Sequence, residues 1–133
     1  MKVSFDFDGT LSRGDVEVYA KDLINRGIEV WIVTSRMSDE DIANSFQPWI
    51  RPNSNLDLWE TAERLGIPRE RVKFTAHVDK IEFLKDKDFV FHLDDDVYEL
   101  IEIMSSGDFC QPLNVDYFSW RENCEEALKK ENK

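Results

Sequence analysis

Long apolar runs are missing from this 133-residue chain: none approaches the roughly 18 residues needed to cross a bilayer, so a membrane-spanning helix is not expected. The N-terminus passes from Met1-Lys2 straight into Asp6 and Asp8 without the hydrophobic core of a signal peptide, which predicts a cytoplasmic protein. Cysteine is scarce. Cys110 and Cys124 are the only two, and with no export signal they are expected to be reduced and structural. Basic residues are outnumbered, 17 Lys and Arg against 28 Asp and Glu, for a formal charge of −11. That balance excludes a broad basic footprint for nonspecific nucleic-acid binding. Repeats, low-complexity tracts and Gly/Ser linkers are also absent, so a single domain over residues 1–133 is expected. Hydrophobic residues make up 41% and aromatics 12%, enough for one good core, which excludes intrinsic disorder.

The apolar runs that do occur are short and blocky: Val3 to Phe7, Ile28 to Val33, Val72 to Phe74, Phe89 to Leu93 and, more weakly, Leu113 to Val115. Runs of this length rich in Val, Ile and Phe suit strands buried on both faces. Helical spacing fills the intervals. It covers Asp15 to Asn25, Asp39 to Phe46, Leu56 to Leu65, Ile81 to Leu84, Val97 to Met104 and Trp120 to Lys130, the last read as a solvated amphipathic tail. The segment from Gln47 to Asn55 reads as irregular. Alternating strand and helix imply right-handed crossovers and an α/β fold, a Rossmann-like α/β/α sandwich with a mostly parallel central sheet. In such a sheet, ligands bind beyond the carboxyl ends of the strands.

Polar residues follow each run. Asp6-Phe7-Asp8-Gly9-Thr10 succeeds the first, Thr34-Ser35-Arg36 the second, His77-Val78-Asp79-Lys80 the third and Asp94-Asp95-Asp96 the fourth. Asp, Ser and Thr also cap helices and make turns, and Asp96 suits the cap of the helix starting at Val97. Capping does not explain three adjacent acids at the end of an apolar strand. Like charges gathered there require a cation, and hard oxygen donors select Mg²⁺. If the chain turns at Gly9, Asp6 and Asp8 both face one site, with the Asp8 carbonyl available as a further ligand.

These segments resemble, in order, the four motifs of the haloacid dehalogenase-like (HAD) superfamily of phosphatases and phosphotransferases. The first is Asp6-Phe7-Asp8-Gly9-Thr10, the second Val30-Trp31-Ile32-Val33-Thr34, the third Lys80 at the head of a helix, and the fourth Phe89-Val90-Phe91-His92-Leu93-Asp94-Asp95. The resemblance covers most of the chain and implies catalytic roles for Asp6, Asp8, Thr34 and Lys80. Asp6 would be the nucleophile that forms an aspartyl-phosphate, and Asp8 the general acid and later base. Asp6, the Asp8 carbonyl and Asp94 would hold Mg²⁺, with Asp95 in reach directly or through water. Lys80 would balance charge, and the Thr34 hydroxyl would hold a phosphoryl oxygen, with Ser35 the competing hydroxyl. Gly9, Thr10, Ser35 and Arg36 are the candidate substrate contacts. A carboxylate attacking an anionic phosphoester needs a cation between them, which is the chemical logic of this set.

Family members with large caps insert them between the first and second motifs or after the third strand. Here those intervals are only Leu11 to Glu29 and Asp79 to Asp88, too short for a substantial cap. The implied activity is Mg²⁺-dependent hydrolysis of a phosphomonoester, with a nucleotide or polynucleotide phosphate as the substrate hint. A regulatory phosphate-binding module completed by a partner, or a phosphotransferase, are the alternatives, and an open site also admits an oligomer that covers it. His92 reads as a hydrogen-bonded core histidine and His77 as a strand-end residue near the site. Of the tryptophans, Trp49 alone falls in the irregular segment.

Overall fold

The structure, a computed structural model, describes residues 1–45 and 54–131. Five strands form one sheet in the order β3-β2-β1-β4-β5, every neighbouring pair parallel: β1 is Lys2–Phe5, β2 Glu29–Thr34, β3 Val72–Phe74, β4 Phe89–Asp94 and β5 Gln111–Asn114. The helices between them are α1 (Gly14–Asn25), α2 (Asp39–Ala43), α3 (Leu56–Leu65), α4 (Ile81–Leu84) and α5 (Val97–Ser106), and α6 (Trp120–Glu131) follows β5. This is the expected α/β architecture with an all-parallel sheet. The chain winds from β1 outward to β3, then crosses back to β4 and out to β5. The strand order therefore reverses between β1 and β4, which opens a crevice at their carboxyl ends.

Strand alternation divides the core into two layers. Val3, Phe5, Val30 and Ile32 join Val16, Tyr19, Leu58 and Leu128 in the larger cluster, while Val33 and Phe89 join Ile81, Leu84 and Ile103 in the smaller. Register between β1 and β4 slips by one residue, Lys2 facing Phe89 but Ser4 facing His92. The extra residue lets Phe91 and Leu93 both face the larger cluster, and it turns His92 toward the same side as Ser4.

Three expectations are corrected. β1 ends at Phe5 rather than Phe7: the Asp6 amide makes the last rung, to the Leu93 carbonyl at 2.9 Å, and a wide turn follows at once. α2 stops at Ala43, short of Phe46, which lies outside the described residues together with Trp49 and the Gln47-to-Asn53 part of the irregular segment. α6 is no solvated tail. Its Trp120, Cys124, Ala127 and Leu128 are buried in the larger cluster, and Trp120 meets the Tyr19 ring edge-on at 5.5 Å between centroids.

Candidate functional site

Asp6 ends the central strand, and what places its carboxylate is the turn after it. The amides of Leu11 and Ser12 reach back five residues to the carbonyls of Asp6 and Phe7 at 3.0 and 2.9 Å, a wide turn over Phe7–Leu11. Gly9 sits within it at φ +73°, a left-handed conformation that glycine takes without a Cβ penalty. Phe7 is driven into the core while Asp8 is left exposed, so Asp6 and Asp8 both border one depression of about 360 Å³.

Directly across the crevice, β4 ends in Asp94. The ammonium of Lys80, at the head of α4, sits between the two strands and donates to Asp6 Oδ1 at 2.9 Å and Asp94 Oδ2 at 2.6 Å. Lys80 is only 2% exposed. A buried ammonium of this kind is tolerable only with carboxylate partners. Burial works against its charge, but Asp6 and Asp94 outweigh it and hold Lys80 above the ordinary lysine range. Burial raises Asp6 to about 8, and the neighbouring charge of Asp94 adds to the rise against the opposing pull of Lys80. At Asp94 burial is overcome by the hydrogen bond from His92 and the Lys80 ammonium, leaving that carboxyl well below the usual range. Two carboxyls 88 residues apart in sequence are thus pushed in opposite directions by their surroundings.

Asp95 completes the cluster. One carboxylate oxygen from each of Asp6, Asp94 and Asp95 lies within 4.8 Å of the others. All-oxygen donors of this charge suit a hard cation, so the residues present fit Mg²⁺. The Asp8 side chain is turned elsewhere, into a forked pair with Arg36 at 2.9 and 2.7 Å. Arg36 carries a second fork to Asp57 on α3, at 2.8 and 3.0 Å, and stacks 4.9 Å over the Phe7 ring. Each of the substrate contacts inferred from sequence can now be placed. Thr10 is buried with its hydroxyl 3.4 Å from Asp6 Oδ2. Thr34 is fully buried, its hydroxyl accepting the Arg36 amide at 3.2 Å, while the exposed Ser35 borders the depression. His77 is exposed at φ +72° and borders a neighbouring cavity of about 770 Å³ shared with Ser35, Arg36 and Asp57.

Some of the site was not foreseen from sequence. His92 is the hydrogen-bonded core residue it was expected to be, but its partner is Asp94: Nε2 to Oδ2 is 2.7 Å, and Nδ1 lies 2.7 Å from the Ser4 hydroxyl. Burial lowers its pKa against the pull of Asp94, and a ring with Nε2–H donating to Asp94 and Nδ1 accepting from Ser4 satisfies both contacts. Strand alternation carried that signal, since His92 and Asp94 are two apart. Asp96 caps α5 as expected, accepting from the amides of Tyr98 and Glu99 at 3.0 and 3.4 Å. Glu99 in turn accepts the Lys80 amide at 2.9 Å, which fixes the head of α4 from α5. Asn55 is 1% exposed and donates to the Met37 carbonyl and to Asp39 at 2.9 and 2.8 Å, bracing the start of α3 beside Arg36.

Compared with protein-family models, curated proteins and solved structures, the chain matches none.

Proposed function

We propose that this chain is a Mg²⁺-dependent phosphomonoester hydrolase that works through an aspartyl-phosphate on Asp6, as a small capless HAD-like enzyme. The observation that carries the reading is the Lys80 ammonium, buried and shared between Asp6 and Asp94 at the point where the strand order reverses. A structural ion pair does not need two carboxylates, a third within metal-binding reach and an open depression above them. A phosphoryl-transfer centre does.

Asp6, Asp94 and Asp95 are the residues that would hold the metal, which when bound would neutralise charge between the nucleophile and the phosphoryl group. An Asp6 oxygen forms a bond to phosphorus as the phosphorus–oxygen bond to the leaving group breaks, and Asp8 gives that oxygen its proton. Water then attacks the same phosphorus and Asp8 recovers the proton, which frees phosphate and Asp6. Lys80 keeps Asp6 oriented and offsets charge as it develops. Ser35 and the turn amides after Asp6 offer donors to the phosphoryl oxygens.

The test is phosphate release from para-nitrophenyl phosphate with Mg²⁺ and with EDTA, beside Asp6→Asn. Release that needs both the metal and Asp6 supports the reading. Turnover retained by Asp6→Asn would sink it, and Mg²⁺ binding without release from any phosphoester would point to a regulatory binding module instead.

A further inference from the structure

The outer face of α5 is apolar where an isolated surface helix is normally polar. Val97, Ile101 and Met104, at spacings of four and three, share one stripe and are 55%, 53% and 70% exposed, while Leu100 and Ile103, turned toward the core, are buried. The stripe starts at the site itself. Asp96, which caps this helix, borders the depression over Asp6, and the Tyr98 hydroxyl reaches Asp79 Oδ2 at 3.4 Å beside the exposed Val78. From Val97 to Met104 the helix descends about 10 Å, the span of roughly three residues of extended chain.

The segment that carries this face has charge of one sign, although Lys85 of the loop after α4 lies beside its carboxyl end. The 32 residues from Phe89 to Trp120 contain seven carboxylates and no lysine or arginine. The same stretch carries seven of the eleven large apolar side chains that stand at least half exposed among the described residues. Its occupant must therefore bring apolar groups together with positive charge. Polynucleotides and anionic lipid surfaces are repelled by such a face, and a second copy of this chain would bring the same acidic rim. A polypeptide with lysine or arginine beside apolar residues matches it.

We propose that the outer face of α5 is the docking shelf for the polypeptide part of a phosphorylated protein substrate, whose apolar and basic residues lie within about three or four positions of the phosphorylated one. The inference rests on the phosphohydrolase reading for the chemistry at Asp6. The bond broken is that between phosphorus and the substrate side-chain oxygen, which leaves as a hydroxyl with the proton from Asp8. The polynucleotide phosphate named above as a substrate hint is disfavoured on the same charge argument.

The experiment uses the full chain and three substrates: para-nitrophenyl phosphate, a phosphoserine peptide flanked by Leu and Lys, and the same peptide with Glu for Lys. The Lys peptide should exceed the Glu peptide in kcat/KM by about tenfold or more, with an advantage that shrinks as salt is raised. Ile101→Glu and Met104→Glu, both at exposed positions, should each lower the ratio of Lys-peptide to para-nitrophenyl phosphate turnover about tenfold, the scale of losing one apolar contact. Val18→Glu, exposed on α1 away from this face, should leave the ratio unchanged. Equal rates for the two peptides, or a ratio indifferent to both α5 variants, would overturn the shelf. So would a sedimentation experiment showing a dimer that Ile101→Glu dissociates, since the face would then belong to a second copy. If para-nitrophenyl phosphate is not hydrolysed, the reading of the chemistry fails, and fluorescence anisotropy of the labelled Lys peptide decides the shelf separately. Binding lost in Ile101→Glu supports it, and no binding by the native chain overturns it.

Discussion

Arg36 holds both oxygens of Asp8 with one edge of its guanidinium and both oxygens of Asp57 with the other. One side chain thereby ties the turn after β1 to the start of α3 and sets where the Asp8 carboxylate rests. Its hydrogen bonds to Asp57 and then Asp8 raise its own pKa, so its charge is permanent.

Removing that fork should have two readable effects. Arg36→Ala should lower stability by about 1 kcal/mol, the scale of a partly exposed bidentate network, and turnover of para-nitrophenyl phosphate by roughly tenfold. Lysine should not substitute, because a point charge cannot fork to two carboxylates. Added guanidinium ion should restore part of the Arg36→Ala activity. Unchanged melting temperature and turnover in Arg36→Ala would remove Arg36 from any positioning role.

Asp6→Asn should stabilise the metal-free protein while abolishing turnover. With Asp6 raised to about 8 in the folded state, the unfolded chain releases this proton first, near its ordinary value of about 3.9. Stability of the native protein in EDTA should therefore fall as pH rises from about 4 to 8, and then level off. The asparagine variant lacks this group and should melt several degrees higher at pH 8, with little difference at pH 4. Parallel melting curves for the two proteins across that range would contradict the charge burial argued for Asp6.

Gly9 cannot be replaced without touching the Asp6–Asp94–Asp95 cluster. A Cβ built there would lie 2.2 Å from Asp95 Oδ2, at a φ of +73°. In Gly9→Ala the Asp95 carboxylate must move aside, which should weaken Mg²⁺ affinity about tenfold or more by calorimetry and cost roughly 1 kcal/mol of stability. Gly27→Ala makes the control. Its φ is +83° but nothing lies within 4 Å of its added Cβ, so it should cost similar stability and leave Mg²⁺ binding intact. Equal Mg²⁺ affinities for the two variants would contradict the contact.

The two thiols should be inert in the native state. Cys110 and Cys124 are buried in different core clusters, and burial pushes Cys110 up to about 12 and raises Cys124 as well. A thiol-reactive chromogenic disulfide at pH 8 should find almost none in folded protein and both in guanidinium chloride. Rapid reaction of either thiol in the folded protein would contradict their burial.

Strand identity was legible because a two-sided parallel sheet needs short apolar runs, which Val30 to Val33 supplies without a break and Phe89 to Leu93 with His92 alone intervening. The clustering of Asp6, Lys80 and Asp94 was legible too, since the two acids end strands whose carboxyl ends face the crevice and Lys80 heads the helix after a third. Local pattern could not show the partners of Arg36, because Asp57 lies 21 residues further along, on the exposed side of a helix. Nor could it show that β1 stops at Phe5. Phe7 is apolar and buried in either conformation, so hydrophobicity alone does not separate a continuing strand from the turn that replaces it. α6 read as a tail because its buried residues are few among many charges, yet Trp120 and Leu128 suffice to seat it.

The central position of β1 has a consequence for how the protein is made. Its first strand emerges earliest, but the neighbour that shares its second edge, β4, begins at Phe89, and Lys80 arrives only shortly before it. On the ribosome, β1 can pair with β2 after some thirty residues while its other edge waits for most of the chain. Until β4 docks, Asp6 has neither Lys80 nor Asp94 beside it. Asp6 thus remains a solvated aspartate until that step, and the Asp6–Lys80–Asp94 cluster assembles at once with closure of the sheet's centre.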